Sequence, residues 1–336
     1  MKAEGSLRAA NSVAAIGELA LIERLKPFCA EGMIGDDAAL VSVEPGQRLV
    51  VTTDVLVDGV HFSDRTTPPF SVGYRATTAN LSDLAAMGAT PIGITVGLGL
   101  PGDTPWPWIE ALYRGMSACL SDYGGAIMGG DLCRASQRTL SITALGQVRP
   151  DRAIYRNAAV PGMSVVVTGP HGGSRAGLAV LLEEIEVTDD RAAPWIGAHQ
   201  QPVPRFDAIA HLTQLIQTEP FPPIAGMDSS DGLANALLQI SQSSQVGMEV
   251  VRSRIPLPDH LIATVGEKTA MDWSLYGGED FELVLCLPPD LAQRFVQISD
   301  ATIIGTTTDA AAVQILSSTG EAHELSHQSF QGFQHF

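Results

Sequence analysis

Asn80–Ala89 reads NLSDLAAMGA and sets one carboxylate, Asp83, among small and apolar side chains. At 3.6 residues per turn, this spacing predicts a closely packed helix with Asp83 at the edge of its contact face. A lone carboxylate in such a place is costly unless a cation or several hydrogen-bond donors meet it. A capping Asp and a metal ligand would both satisfy that requirement. The stripe predicted to be buried holds Leu81, Leu84, Ala85 and Gly88.

The composition indicates an ordered protein of two domains. The chain has 336 residues, which is longer than a single domain of ordinary size. Of these residues 45% are hydrophobic and 17% are charged, as in an ordered globular protein. Apolar strands alternate with helical segments in both halves, which predicts an α/β fold built of α+β layers. We place the two domains at residues 1–150 and 151–336, and we expect the polar segment Asp189–Pro204 to be a loop or hinge.

Charge and cysteine usage narrow the class of protein. The net charge of −17 makes the molecule repel nucleic acid and anionic membranes, so neither is an expected partner. An anionic substrate would need bound divalent cations or a local basic patch. The four cysteines lack CxxC spacing, which argues against a zinc site or a disulfide framework. The N-terminus lacks a signal-peptide core, and we expect a cytoplasmic protein.

Several acids follow apolar runs or lie in glycine turns. Arg48–Asp54 predicts a buried strand that ends on an acid, and Ala126–Asp131 and Ile224–Asp228 repeat the design. Each acid alone could be a turn or capping residue. Together they resemble oxygen ligands for hard cations such as Mg²⁺, which share their coordination shell with substrate phosphates. The acids are Asp36, Asp37, Asp54, Asp83, Asp131, Asp228 and Asp231.

Carboxylates, metals and a polyphosphate together predict phosphoryl transfer from a nucleotide. The sequence contains no GxxxxGK[ST] motif, which excludes a P-loop. Gly172-Gly173-Ser174 could bind a phosphate, although a glycine pair after a strand is more often an ordinary tight turn. The sequence also lacks GxSxG, and His61, His171 and His199 have no sequence partner that would specify a catalytic triad.

Eight motifs, in order along nearly the whole chain, resemble the thiamine-monophosphate kinase family of the aminoimidazole ribonucleotide synthetase superfamily. They are GDDAA at 35–39, TTD at 52–54, DGVHF at 58–62, NLSDLAAMGA at 80–89, GGD at 129–131, SDGL at 230–233, GGEDFEL at 277–283 and GFQHF at 332–336.

This resemblance implies two α/β domains, with an N-terminal ATP- and Mg²⁺-binding domain whose sheet pairs with that of a second subunit in a homodimer. It also implies that ATP phosphorylates thiamine monophosphate to thiamine diphosphate, with Asp83, Asp131 and Asp228 as the catalytic carboxylates. The implied magnesium ligands are Asp37, Thr52, Thr53, Asp54, Asp83, Asp131, Asp228 and Asp231. The implied ATP contacts are Gly130, Asp131, Arg156 and Ser230, and the implied thiamine phosphate contacts are His61, Glu279 and Phe333.

The chain departs from the family pattern at a few positions. Arg75 stands where the family usually has Lys, and Ala236 stands where an acid is common. Neither change removes an implied metal ligand. The alternatives are another ATP-using enzyme of the superfamily and a nucleotide-binding regulator that has lost turnover.

Overall fold

The computed structural model describes residues 11–33, 38–216, 220–317 and 321–326. The chain divides into two compact units. Unit 1 comprises Met1–Leu84 and Ala89–Val148, and unit 2 comprises Ala85–Gly88 and Arg149–Phe336. Across the described part of the chain, no helix is both long enough and apolar enough to span a bilayer.

Unit 1 contains one four-stranded sheet and two long helices. Its elements are α1 (Val13–Ile16), α2 (Glu18–Leu25), a 3-10 turn (Lys26–Phe28), β1 (Arg48–Val57), α3 (Pro69–Ala86), β2 (Thr90–Leu100), α4 (Trp106–Tyr123), β3 (Ile127–Arg134) and β4 (Thr139–Val148). The strand order is β1-β4-β2-β3. Strand β4 pairs antiparallel with both β1 and β2, whereas β2 and β3 are parallel. Strands β1 and β3 are therefore the two edges of this sheet.

The two faces of this sheet differ in composition. Alternate residues of β4 and β2, such as Ile142 and Val96, are fully buried on the face that α3 covers. On the other face, called here the open face, Val51 of β1 is 56% exposed and Val55 is 48% exposed. Because side chains alternate along a strand, each β1 residue belongs to one face only.

Helices α3 and α4 of unit 1 approach each other closely. A Cβ atom on Gly73 would lie 1.9 Å from the carbonyl oxygen of Leu112, and one on Gly115 would lie 1.9 Å from that of Phe70. Only glycine fits at these two crossing points. The buried stripe predicted for NLSDLAAMGA is confirmed at Leu81, Leu84 and Ala85, which are all fully buried.

Unit 2 has helices on both faces of a seven-stranded sheet with the order β11-β10-β7-β9-β5-β8-β6. Its strands are β5 (Ser164–Val167), β6 (Ala225–Asp228), β7 (Gly247–Val251), β8 (Leu283–Leu287), β9 (Thr302–Thr308), β10 (Val313–Leu316) and β11 (Ala322–Leu325). Its helices are α5 (Gly173–Leu181), α6 (Asp189–Gln200), α7 (Phe206–Leu215), α8 (Leu233–Ser244), α9 (Leu261–Val265), α10 (Glu267–Tyr276) and α11 (Pro289–Phe295), with a 3-10 turn at Arg252–Arg254.

Successive side chains of the central strands of this sheet pack into two different hydrophobic clusters, one on each face. Val165 and Val167 pack in a cluster with Leu237 of α8. Val166 packs in a second cluster with Leu212 of α7 and Phe295 of α11. The sheet is thus apolar on both faces, which explains why its strands read as continuous hydrophobic runs. The α/β layering expected from the sequence is confirmed.

Two expectations about individual elements are wrong. The segment predicted as a loop or hinge is mostly the helix α6, although it contains Pro194. Its acidic first turn suits a helix N-terminus, and the buried Ala192, Trp195 and His199 recur at helical spacing. The strand predicted to be buried, β1, is instead a half-exposed edge strand that continues to Val57.

Candidate active site

The first group of predicted site residues lies where β1 meets α3. Thr52 Oγ1 donates a hydrogen bond to Asp83 Oδ2 at 2.5 Å. The backbone N–H of Asp54 donates to Asn80 Oδ1 at 3.1 Å, and Asn80 Nδ2 donates to Ala76 O at 3.0 Å. Asp54 and Asp83 are half-buried. The sheet and the helix therefore bring two carboxylates and a hydroxyl, all hard oxygen donors, to one place.

Other predicted residues of unit 1 lie on the open face. The Thr53 side chain projects there and hydrogen-bonds Thr143 Oγ1 at 2.8 Å. Asp131 of β3 pairs with Gly97 of β2, Gly97 pairs with Ser141 of β4, and Ser141 pairs with Val55 of β1. Paired residues point to the same side of a sheet, so the Asp131 side chain is also on the open face. Asp131 was expected at a strand end but lies inside the edge strand β3. It is exposed and three strands away from β1, a distance of roughly 14 Å at ordinary strand spacing.

His61 lies in the turn that follows β1. Its Nδ1 accepts a hydrogen bond from the backbone N–H of Val57 at 3.1 Å, which places the proton of the neutral ring on Nε2. A cavity of about 440 Å³ adjoins the same turn at Asp58 and Gly59. Arg138 lines the cavity beside Asp58, with its Nη1 at 3.6 Å from Asp58 Oδ2 and at 2.6 Å from Asp64 Oδ1. Beside the turn, unit 1 thus has a polar cavity large enough for a small organic ligand.

In unit 2, the SDGL motif forms the turn between β6 and α8. Asp228 ends β6, as predicted, and is 2% exposed. Ser230 Oγ donates to Asp228 Oδ1 at 3.3 Å, and Asn235 Nδ2 donates to Asp231 Oδ2 at 3.2 Å. Arg156 is exposed, and its Nη1 donates to Gln239 Oε1 of α8 at 2.6 Å.

The GGEDFEL segment is a loop that runs against this turn. Glu279 has φ of 60° and Phe281 has φ of 53°, and each left-handed non-glycine residue costs roughly 1 kcal/mol. The backbone N–H of Glu279 donates to Ser230 O at 2.7 Å, and that of Ser229 donates to Glu282 O at 2.8 Å. The residue predicted to contact the thiamine phosphate is thus joined by backbone hydrogen bonds to the turn that contains Asp228.

Asp280, in the same loop, caps helix α5. Its two carboxylate oxygens accept hydrogen bonds from the backbone N–H groups of Gly172 at 2.7 Å and Ser174 at 2.9 Å. Burial raises the pKa of Asp280 to about 7. For the Gly172-Gly173-Ser174 segment the sequence favours an ordinary turn over a phosphate loop, and the structure agrees because the chain's own carboxylate accepts from these donors.

Further buried polar groups form hydrogen bonds with the GGEDFEL loop and the SDGL turn. Glu282 Oε2 pairs with Arg205 Nη1 at 2.6 Å and accepts from Thr168 Oγ1 at 2.5 Å. Burial raises the pKa of Glu282, and the charge of Arg205 opposes that rise. The fully buried ring of His171 lies between Gly169 O and Ser229 Oγ, each at 3.1 Å. Burial lowers the pKa of His171 to about 4, so the ring is neutral near pH 7.

The predicted metal ligands do not form one cluster within the described residues. No three His, Cys, Asp or Glu side chains in that part of the chain lie close enough together to hold a metal ion. Thr52, Asp54 and Asp83 are together on one side of the unit 1 sheet, whereas Asp131 lies on the other side. Asp228 and Asp231 belong to unit 2. Asp37 and Phe333 lie outside the described residues.

No role was predicted from the sequence for four residues that shape the site: Asn80, Arg205, Asp280 and Glu282. In the sequence, Asn80 is only the first residue of the NLSDLAAMGA segment, and its amide oxygen proves to accept a hydrogen bond from the Asp54 backbone N–H. The other three act over long sequence separations. Asp280, for example, caps a helix 106 to 108 residues earlier in the chain. No local spacing indicates such a contact.

Comparisons with known proteins identify the family of the chain. Residues 35–148 match the family model of the N-terminal domain of AIR synthase related proteins, and residues 160–316 match that of the C-terminal domain. A thiamine-monophosphate kinase from Synechococcus elongatus is 46% identical over 329 residues, which covers 97% of this chain and 98% of that protein.

Two solved structures are also similar. Thiamine-monophosphate kinase from Stenotrophomonas maltophilia is 32% identical with a TM-score of 0.77, covering 90% of this chain and 96% of its own. A structure described as AaThiL complexed with AMPPCP and TMP is 31% identical with a TM-score of 0.73, covering 93% and 97%. With family models that match most of its length and a relative of this identity and coverage, the chain belongs to the thiamine-monophosphate kinase family.

Proposed function

We propose that this chain transfers the γ-phosphoryl group of ATP to thiamine monophosphate, giving ADP and thiamine diphosphate. The observation that carries this proposal is the junction of β1 and α3, where the Thr52 hydroxyl binds the Asp83 carboxylate beside Asp54. Such a group of hard oxygen donors suits the cations that accompany a nucleotide. The relative bound to AMPPCP and TMP supports the choice of both substrates.

Mg²⁺ is the cation we propose, held by Asp37, Thr52, Thr53, Asp54, Asp83, Asp131, Asp228 and Asp231. The ligand atoms that these residues offer are all oxygens, the donor that Mg²⁺ prefers. Bound Mg²⁺ would neutralise phosphate charge, which a chain with a net charge of −17 otherwise repels. The side chain of Thr53 lies on the open face, so any contribution from Thr53 next to Asp83 would come from its main chain.

The protein residues in this proposal bind and align, and none is needed as a general base. The attacking atom is an oxygen of a phosphomonoester, whose second pKa of about 6 leaves it largely ionised at pH 7. Gly130, Asp131, Arg156 and Ser230 are the proposed ATP contacts, and His61, Glu279 and Phe333 the proposed contacts to thiamine phosphate. The neutral His61 ring carries a proton on Nε2, which suits donation to a phosphate oxygen.

A homodimer is part of the proposal. Leu49, Val51 and Val55 expose apolar surface along the open face, and a second copy packed there would cover it. The same contact would bury Asp131, which lies across the sheet from Asp54 in its own subunit. We therefore propose that Asp131 serves the site of the second copy. We also assign the protein to the cytoplasm, since Cys29, Cys119, Cys133 and Cys286 are all free thiols.

The decisive assay supplies purified protein with Mg²⁺, ATP and thiamine monophosphate, and separates the products chromatographically. We expect equal amounts of ADP and thiamine diphosphate, with no ADP when thiamine monophosphate is replaced by inorganic phosphate. Calorimetric titration with ATP runs in parallel. ATP binding without product under Mg²⁺ or Mn²⁺ would refute the kinase proposal and favour a nucleotide-binding regulator.

A further inference from the structure

The loop Gly277–Glu282 has an unfavourable backbone conformation that something else in the fold must maintain. Gly278, Glu279 and Phe281 have φ of 67°, 60° and 53°, so three of its residues are left-handed and two of them carry side chains. Non-glycine residues adopt this conformation only where surrounding contacts impose it. Glu279 is the residue proposed above to contact thiamine phosphate.

We propose that Asp280 is a positioning residue that holds Glu279 against the SDGL turn by anchoring this loop to the N-terminus of helix α5. The inference rests on the proposed function, because it gives Glu279 its role. The anchor consists of the hydrogen bonds that the Asp280 carboxylate accepts from the N–H groups of Gly172 and Ser174. Asp280 lies between the two left-handed non-glycine residues, so its anchor acts at the centre of the unfavourable segment.

The other side of the loop leaves little room for movement. A Cβ atom on Gly278 would lie 2.9 Å from the carbonyl oxygen of Ser230, and the Glu279 N–H donates to that same oxygen. The loop is thus held between helix α5 on one side and the SDGL turn on the other. Losing the Asp280 anchor would free one side, and the backbone of Glu279 would relax away from Ser230.

Helix α5 is a suitable anchor because its own position is well determined. Ser174 Oγ hydrogen-bonds His199 Nδ1 of α6 at 3.1 Å. Ala176 of α5 belongs to a hydrophobic cluster with Trp195, Leu261 and Ala270. The first N–H groups of a helix also attract a carboxylate through their combined partial charge. Asp280 therefore connects a loop with an unfavourable backbone conformation to a well-packed helix.

Kinetics of Asp280→Ala and Asp280→Asn test the inference, with Leu261→Ala as the matched control. Leu261 is fully buried in the cluster that packs against α5, so its truncation destabilises the same region but removes neither hydrogen bond of the Asp280 anchor. We expect Asp280→Ala to raise KM for thiamine monophosphate at least about tenfold, with KM for ATP nearly unchanged. Asp280→Asn keeps one acceptor oxygen and should fall between wild type and Asp280→Ala. Leu261→Ala should lower Tm while leaving both KM values unchanged.

Hydrogen exchange gives a readout that does not depend on turnover. In Asp280→Ala, the Glu279 amide, which donates to Ser230 O, should exchange at least about tenfold faster than in wild type. In Leu261→Ala it should retain its protection relative to its neighbours. A protein without kinase activity but with this exchange pattern would refute the proposed function and keep the positioning role. Unchanged KM and unchanged protection at Glu279 in Asp280→Ala would overturn the inference.

Discussion

The two units hold their acidic side chains in different ways. In unit 1, Asp54 and Asp83 lie on a strand and a helix, and their positions follow from how α3 packs on the sheet. In unit 2, Asp280 and Glu282 lie on a loop and are fixed by backbone N–H groups and by Arg205. Removing a charge should therefore affect chemistry alone in unit 1, but both chemistry and local structure in unit 2.

The largest effect is expected for Asp83→Asn, which tests whether removing a charge in unit 1 affects chemistry alone. Asp83→Asn should lower kcat at least about a hundredfold, because the variant loses a charge proposed to bind Mg²⁺. The amide oxygen can still accept the hydrogen bond from Thr52, so Tm should change little. Steady-state kinetics and thermal unfolding measure the two quantities.

Asp122→Asn is the matched control for Asp83→Asn. Asp122 lies on the neighbouring helix α4 and accepts a hydrogen bond from the Tyr74 hydroxyl at 3.3 Å. This control should retain wild-type kcat. If Asp83→Asn turned over thiamine monophosphate at a near-normal rate, the metal role of Asp83 would be wrong.

A second experiment asks whether Asp131 serves the partner's site. Asp54→Asn and Asp131→Asn should each be inactive alone. When the two variants are co-expressed, mixed dimers would hold one site without either substitution and one site with both. Random assembly should then restore about a quarter of wild-type activity. If both residues act within one subunit, every site carries a defect and the mixture remains inactive.

The third prediction concerns a buried group of unit 2 that the proposed chemistry does not use. Burial lowers the pKa of His171 from 6.5 to about 4, so between these values the unfolded chain binds more protons than the folded one. The contribution of His171 to stability is therefore fully present above pH 6.5 and is lost as the pH drops towards 4. The loss should reach about 3 kcal/mol in the free energy of unfolding.

Urea unfolding of wild type and His171→Asn at several pH values isolates this contribution. Asn can still hydrogen-bond but does not titrate, so the stability difference between the two proteins should shrink or reverse as the pH falls. Parallel pH profiles for the two proteins would show that His171 is not the titrating group.

The smallest effect is expected at Asp207, the exposed partner of Arg205. Arg205 donates two hydrogen bonds to Asp207, at 2.9 and 2.8 Å, but the Asp207 side chain is 52% exposed. Asp207→Asn should cost less than about 1 kcal/mol and leave kcat unchanged, because Arg205 keeps Glu282 as its buried partner. Urea unfolding at pH 7 measures the cost. A loss of several kcal/mol would mean that Asp207, and not Glu282, secures the guanidinium.

Regular elements with strong periodicity can be predicted from the sequence. Its pattern predicts a helix around Trp106–Tyr123 and a strand at Thr139–Val148, and these are the bounds of α4 and β4. The buried stripe of α3 was also evident, since small and apolar residues recur at helical spacing. The exposure of β1 could not be predicted, because a run such as RLVVTT is found both in edge strands and in central strands. Strand order depends on pairing between distant segments, which no local pattern specifies.

Some features of the candidate site could likewise be predicted from the sequence, and others could not. Acids next to glycines and apolar runs were identified by their surroundings, and Asp228 does end its strand. Asp54 and Asp131 were expected at strand ends and instead lie inside β1 and β3. The cap formed by Asp280 could not be predicted, since a carboxylate and the helix it caps need only meet in space.

The alternation along β1 has a consequence for how this protein can change in evolution. Even-numbered residues such as Thr52 and Asp54 face α3, whereas Val51, Thr53 and Val55 lie on the open face. Inserting one residue within the strand would exchange the two sets and remove both surfaces at once. Insertions and deletions should therefore be absent from Arg48–Val57 and tolerated in the exposed turn at Glu44–Gln47, which precedes the strand.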